Sequence, residues 1–183
     1  MDGQVGKILL ILDLDETLIH ATKTKLASTG HDFVYADYFV YKRPGFDDLL
    51  NSIKEDFKIG VWSSASDDYV NEITSHIFPD NFTLEFIWGR SRCTFKRDVV
   101  FDTYSFAKPL KKLKKKGYEL ERILIIDDTA EKVKDNFGNA IYIKEFTGTP
   151  DDELKKLSIY LQKLKSVSNV REIEKRGWHL KEE

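Results

Sequence analysis

The 183-residue chain carries 29 Lys and Arg against 31 Asp and Glu, a net charge of −2, with 41% hydrophobic and 33% charged residues. That length fits one domain with room for a small insertion, in a composition typical of globular proteins. The charge balance argues against bulk nucleic-acid binding, and the single cysteine, Cys93, excludes an intramolecular disulfide and fits a reducing compartment.

The first element is "KILLILDLD" (7–15), an apolar run that passes straight into Asp13, Asp15 and Glu16. Its apolar part, Ile8–Leu12, is too short for a signal core or a membrane span, so a cytoplasmic location is expected, or a nuclear one in a eukaryote. Next, "HDFVYADYFVYKRP" (31–44) alternates with aromatics and reads as a β-hairpin flap turning near Ala36-Asp37. Its rings Phe33, Tyr35, Tyr38, Phe39 and Tyr41 suit flap packing better than a ligand cage. "PGFDDLLNSIKEDF" (44–57) has a proline near its start and Phe46, Leu49, Leu50 and Ile53 on one helical face. "KIGVWSSAS" (58–66) is a second buried strand, and "SDDYVNEITSHIF" (66–78) a helix with Ser66 as N-cap. "FTLEFIWGRSRCTFKRD" (82–98) reads as an insertion hairpin turning near Gly89.

"TYSFAKPLKKLKKKG" (103–117) reads as a helix closed by Gly117, its lysines 111–116 forming a solvated face. "RILIIDDT" (122–129) and "AIYIKEF" (140–146) are further strands, and "PDDELKKLSIYLQKLKSV" (150–167) is the last helix. The segment 169–183 reads as a polar, partly disordered tail beyond a domain at 1–168. Strands alternating with helices predict an α/β fold with a mostly parallel sheet and helices on both faces. His20, His31, His76 and His179 lack metal-ligand spacing and suit structural or surface roles. Cys93 suits packing.

Open α/β sheets bind ligands at the carboxyl ends of their strands. Here those ends would gather Asp13, Asp15, Asp127 and Asp128 with Ser63 and Ser64. Two carboxylates at ~4 Å repel by roughly 4 kcal/mol at an effective dielectric near 20. A hard divalent cation removes that cost, and carboxylates, carbonyls and water are what Mg²⁺ prefers. The acids could instead end a strand in a solvated turn, but their recurrence at two strand ends weighs against that.

The residues resemble a known pattern. "DLDET" (13–17) is similar to motif I of the haloacid-dehalogenase (HAD) superfamily, and "DLDETLIH" followed by "YKRPGFDDLL" resembles the FCP/SCP-type, NLI-interacting-factor-like phosphatases. "VWSSAS", "RSRCTF", "FAKPL" and "ILIIDDT" continue the resemblance over about residues 7–165. It implies a Rossmann-like HAD core with a flap, a small insertion and no large cap. It also implies a Mg²⁺-dependent hydrolase acting on phosphoserine or phosphothreonine in a protein or peptide; a monomer that makes no membrane contact is expected. Alternatives are a nucleic-acid 3′-phosphatase, a small-metabolite phosphatase and an inactive binding module of the same family.

By the same resemblance, Asp13 is the nucleophile and Asp15 the general acid and base. Thr17 orients Asp15 or its turn and borders the phosphate. Ser64 and Lys108 hold the phosphoryl group, and Arg90 contacts it from the insertion. Asp13, the Asp15 carbonyl and Asp128 hold the metal, with Asp127 in support. Ser63 stands where the family has an aromatic residue, which puts substrate contacts there in question. Arg90 could equally be an ordinary turn residue.

Overall fold

The computed structural model describes residues 6–27, 29–98 and 103–180; the first five residues of the expected domain and the last three of the expected tail lie outside them. In chain order the elements are β1 (Ile8–Leu12), β2 (Ile19–Thr22), β3 (Phe33–Tyr35), β4 (Tyr38–Lys42), α1 (Phe46–Ile53), β5 (Phe57–Trp62), α2 (Asp67–Ile77) and β6 (Phe86–Trp88). They continue with β7 (Thr94–Asp98), β8 (Thr103–Ala107), α3 (Lys111–Lys114), β9 (Ile123–Asp127), α4 (Ala130–Val133), β10 (Ala140–Tyr142) and α5 (Glu153–Leu164).

The central sheet has the order β10-β9-β1-β5-β6, and every pairing in it is parallel. β1 is its middle strand and is buried on both faces. Ile8, Leu10 and Leu12 pack with α1, α2 and α5, whereas Leu9 and Ile11 pack with Leu113 of α3 and Val133 of α4. Such a strand reads as an unbroken apolar run because both faces are covered. The expected α/β architecture, with helices on both faces and no large cap, is the one observed.

The flap forms as expected, with β3 and β4 turning through Ala36 at a φ of 50°. β2, unforeseen in the sequence, adds to β4 and makes the flap three-stranded. Phe33 stacks on His76 at 4.7 Å and Tyr35 meets Tyr69 edge-on at 5.6 Å, which fixes the flap against α2.

Three expectations need correction. The segment 82–98 is not a hairpin about Gly89. Its first half is β6, the edge strand parallel to β5. Phe86 and Trp88 pack at 4.4 Å, and Trp88 meets Trp62 at 5.0 Å, so these rings join the core. Gly60 allows this, since a Cβ there would sit 2.5 Å from the Phe86 ring. The hairpin is β7–β8, paired antiparallel from Thr94↔Ala107 to Asp98↔Thr103.

The helix expected at 103–117 therefore shrinks to α3, because Tyr104-Ser105-Phe106 follows a strand period and Pro109 interrupts it. The segment 169–180 is no loose tail. Val170 and Trp178 are buried, Trp178 packs against Tyr160 of α5 at 5.7 Å, and its Nε1 donates to the Tyr142 carbonyl at 2.7 Å. Among the described residues, no helix is long and apolar enough to cross a membrane.

Candidate active site

The alternation that sends Leu9 and Ile11 toward α3 and α4 carries Asp13 to the same side, and Ile123, Ile125 and Asp127 repeat it on β9. Both carboxylates are buried. Lys108, also fully buried, lies between them, with Nζ 2.7 Å from Asp13 Oδ1 and 2.6 Å from Asp127 Oδ2. Its backbone is pinned: Lys108 N donates to the Lys132 carbonyl at 2.7 Å, and Asn136 Nδ2 donates to the Lys108 carbonyl at 2.8 Å. Lys132 Nζ stands 3.4 Å from Asp13 Oδ2 and 4.0 Å from Asp128 Oδ1. Burial alone would lower both ammonium pKa values; the neighbouring acids outweigh it and raise them. Burial and the Asp13 charge push Asp127 up, and Lys108 pulls it back.

Asp15 has a different setting. Tyr69 of α2 donates its hydroxyl to Oδ1 at 2.5 Å, and Ser63 donates to Oδ2 at 3.3 Å. Ser63 follows β5 directly and its Oγ also accepts from Ala65 N at 3.0 Å. Burial raises the Asp15 pKa, the Tyr69 bond lowers it in part, and the Asp13 charge raises it again. Glu16, in a left-handed conformation at a φ of 59°, is raised to about 7 by burial, then by Asp15 and Asp128.

Asp128 completes the acidic edge. Its Oδ1 accepts from Thr17 Oγ1 at 3.2 Å, its Oδ2 from Thr129 Oγ1 at 2.9 Å, and its backbone N–H donates to Thr17 Oγ1. Thr17 is held in turn by Arg43. That buried guanidinium donates to the Thr17 carbonyl at 3.0 Å and grips both oxygens of Asp151, at 3.0 and 2.7 Å.

Asp13, Asp127 and Asp128 each present a carboxylate oxygen within 4.8 Å of the others. Asp13 Oδ1 is buried, and its contact with Lys108 is an ion pair without hydrogen-bond alignment, so among the described residues this oxygen has no hydrogen-bond donor. Hard oxygens with a spare lone pair suit a hard divalent cation. The Asp15 carboxylate is outside this cluster, occupied by its two hydroxyl donors.

The family model described as NLI interacting factor-like phosphatase matches residues 8–171. The chain belongs to this family. It is 30% identical over 172 residues to the CTD small phosphatase-like protein 2 of Dictyostelium discoideum, covering 90% of this chain and 29% of that protein. It is 28% identical to the mitochondrial import inner membrane translocase subunit TIM50 of Kluyveromyces lactis, over 91% of this chain and 31% of that protein. The chain thus spans about a third of these two relatives. The fission yeast RNA polymerase II CTD phosphatase Fcp1, solved with beryllium fluoride, superposes with a TM-score of 0.57 at 16% identity, covering 88% of this chain and 50% of that one.

Against the NLI interacting factor-like pattern, the structure gathers Asp13, Asp15, Lys108, Asp127 and Asp128 at one edge. Around it, Ser63 gives its hydroxyl to Asp15, and the neighbouring Ser64 carbonyl accepts from Arg90 Nε at 2.9 Å. Thr17 lies in the turn that carries Asp15, its N–H donating to the Leu14 carbonyl, and its hydroxyl serves Asp128. Arg90 lies in the 3₁₀ turn 90–92, its guanidinium 5.0 Å over the Phe106 ring, and its described contacts include none of the carboxylates.

Tyr69, Lys132 and Arg43 are assigned no site role from the sequence, and Glu16 appears there only as an acid of the strand end. Lys132 had a sequence signal, the i,i+4 spacing from Asp128. Tyr69 follows the N-cap Ser66 by three residues, one turn into a helix that starts at the sheet edge.

Proposed function

We propose that this chain is a Mg²⁺-dependent phosphatase that hydrolyses phosphomonoesters through an aspartyl-phosphate on Asp13, with phosphoserine or phosphothreonine in a protein or peptide as substrate. The unequal settings of Asp13 and Asp15 carry the reading. Asp13 lies between two ammonium groups that hold its side chain in place and offset its charge, a setting that suits a nucleophile. Asp15 lies beside two hydroxyls, and burial raises its pKa, the direction that a proton donor needs.

An Asp13 oxygen attacks phosphorus, and the ester P–O bond breaks. The leaving alkoxide takes the Asp15 proton. Asp15, now a carboxylate, takes a proton from water as that water attacks the aspartyl-phosphate. Inorganic phosphate leaves and Asp13 is restored. Lys108 holds Asp13 in place and offsets charge on the phosphoryl group. The Ser63-Ser64 turn supplies a hydroxyl, Ser64 being the residue assigned by family resemblance. Asp13, Asp128 and the Asp15 carbonyl would hold Mg²⁺, with Asp127 in support through Lys108 and Thr17 seating Asp128. The metal supplies positive charge to the transferring phosphoryl group.

A phosphatase relative at 30% identity supports the reaction class, and the lack of a large cap among the described residues supports a polypeptide substrate. Turnover should be tested on a phosphopeptide panel, p-nitrophenyl phosphate and a 3′-phosphorylated oligonucleotide, with and without Mg²⁺. Mg²⁺-dependent turnover with the highest kcat/KM on phosphopeptides is expected. A preference for the oligonucleotide would replace the substrate class. No turnover on any of the three would leave a binding module, as the similarity to the translocase subunit allows.

A further inference from the structure

Two ammonium groups reach the acids of the metal cluster, and they are fixed to different degrees. Lys108 Nζ sits 2.7 Å from Asp13 and 2.6 Å from Asp127, and its side chain is fully buried. Lys132 Nζ sits 3.4 Å from Asp13 Oδ2 and 4.0 Å from Asp128 Oδ1, and its side chain is 22% exposed. Lys132 therefore bridges Asp13 and Asp128, the same two carboxylates that are proposed as metal ligands. Its contacts are the longer ones, and its head group is the one that water reaches.

The main chain under this side chain is held. Lys132 N donates to the Thr129 carbonyl at 3.1 Å, and the Lys132 carbonyl accepts from Lys108 N at 2.7 Å. The flexible stem is what remains free to turn. A plain reading makes Lys132 an i,i+4 partner of Asp128 in α4. That does not account for the contact with Asp13, 119 residues away. Nor does a helix of four residues gain much from one such pair.

Charge sets the limit. The three clustered carboxylates, Asp13, Asp127 and Asp128, face the two ammonium groups, which leaves one negative charge. A divalent cation brings two positive charges. The cluster is then neutral only when one ammonium has withdrawn, and Lys132 is the one with a way out.

We propose that Lys132 is a tethered competitor of Mg²⁺: its ammonium and the ion exchange on Asp13 and Asp128, so that Lys132 sets how much Mg²⁺ the site requires. The inference rests on the phosphatase reading and its metal site, and adds a residue that tunes that site. In metal-free protein, Lys132 offsets the repulsion between Asp13 and Asp128. With the ion on those carboxylates, the ammonium faces a like charge at close range and swings into solvent.

Isothermal titration of MgCl₂ into the whole chain, with no substrate present, compares wild type with Lys132→Met, which removes the charge and keeps the length. The variant should bind Mg²⁺ about tenfold more tightly, within the usual range of coupling between two sites. In EDTA its Tm should lie below that of wild type, and its Mg²⁺-dependent rise should be larger. Acetylation of unaltered protein by an amine-reactive ester, read by peptide mass spectrometry, decides the matter without a variant. Lys132 should be acetylated faster with Mg²⁺ than with EDTA. Lys134, paired with Glu131 at the surface, should react equally in both.

Equal Mg²⁺ affinity in the two proteins, or acetylation of Lys132 that ignores Mg²⁺, would overturn the exchange and leave Lys132 as a partner of Asp128 in α4. Weaker Mg²⁺ binding by the variant would overturn it too, and make Lys132 a support that seats the acids. No Mg²⁺ binding by either protein would remove the metal site and the exchange together. Turnover of p-nitrophenyl phosphate scores the phosphatase reading separately: tighter binding in the variant with no turnover by wild type would sink that reading and leave the exchange standing.

Discussion

The two flanks of β1 supply opposite chemistry to two acids only two residues apart. On the β9 flank, the side chains that reach Asp13 are cations: Lys108 at 2.7 Å and Lys132 at 3.4 Å. On the β5 flank, the side chains that hydrogen-bond Asp15 are hydroxyls, those of Tyr69 and Ser63. Ammonium groups on either side of a carboxylate offset its charge and fix its position. A buried carboxyl beside neutral donors is costly to ionise, and its pKa rises. That contrast is the one that the proposed nucleophile and proton donor require. The difference comes from which strand adds to each edge of β1, so topology sets it more than the acids themselves. It also amends the simple picture of four mutually repelling carboxylates, because two lysines already offset part of that charge.

Removing the nucleophile on the cationic flank should have the largest effect. Asp13→Asn keeps the shape of the side chain and replaces the attacking oxyanion with an amide, which is a very poor nucleophile. Turnover of p-nitrophenyl phosphate should fall about 10³-fold or more, with the circular dichroism spectrum unchanged. Activity within about tenfold of wild type would assign the nucleophile elsewhere.

The next effect concerns the cation proposed for this flank. Wild-type protein should gain about 2.7 kcal/mol of stability at a Mg²⁺ concentration 100 times the dissociation constant, by mass action. Asp128→Ala removes one of the three clustered oxygens and the acceptor of the Thr17 hydroxyl. Its Mg²⁺-dependent rise in Tm should shrink to a small fraction of the wild-type rise at the same concentration. Equal rises in the two proteins would remove Asp128 from the ligand set.

The cationic flank was more legible in the sequence than the hydroxyl flank, for a physical reason. Parallel strands covered on both faces appear as unbroken apolar runs, and Asp13, Asp127 and Asp128 end two of them. Lys108 was found by its place in "FAKPL", although the segment around it is a strand and not the expected helix. Lys132 went unnoticed because α4 is a single short turn, with too few residues to show a period, despite the i,i+4 spacing from Asp128.

Ser63 and Ser64 are adjacent hydroxyls, and only the exit of the chain from β5 decides which one turns to Asp15. Tyr69 depends on how α2 sits over the sheet edge, a tertiary relation that local pattern does not encode. β6 and β8 are short aromatic strands whose pairing partners lie outside their own hairpin-like signals. Trp178 and Val170 are sparse apolar residues in a polar segment, and only the surface of α5 makes them core.

The smallest expected effect probes the hydroxyl flank directly. The Tyr69 hydroxyl donates to an Asp15 oxygen at 2.5 Å, and that bond favours the charged carboxylate. Tyr69→Phe deletes the donor and keeps the ring that packs against Tyr35. Without the donor, the Asp15 pKa rises above its already raised wild-type position. Leaving-group protonation needs the protonated acid, so kcat/KM falls as pH rises through this pKa.

The alkaline fall should accordingly move to higher pH in the variant. The acid-side fall in kcat, where water activation needs the carboxylate, should move in the same direction. Below both wild-type and variant pKa values, the two proteins should differ by less than about tenfold on p-nitrophenyl phosphate. A pH–rate profile is the measurement. Limbs that stay fixed would detach Asp15 from the proton transfers. Limbs that move to lower pH would mean that Tyr69 serves the protonated acid as an acceptor, and the contrast between the two flanks of β1 would then rest on burial alone.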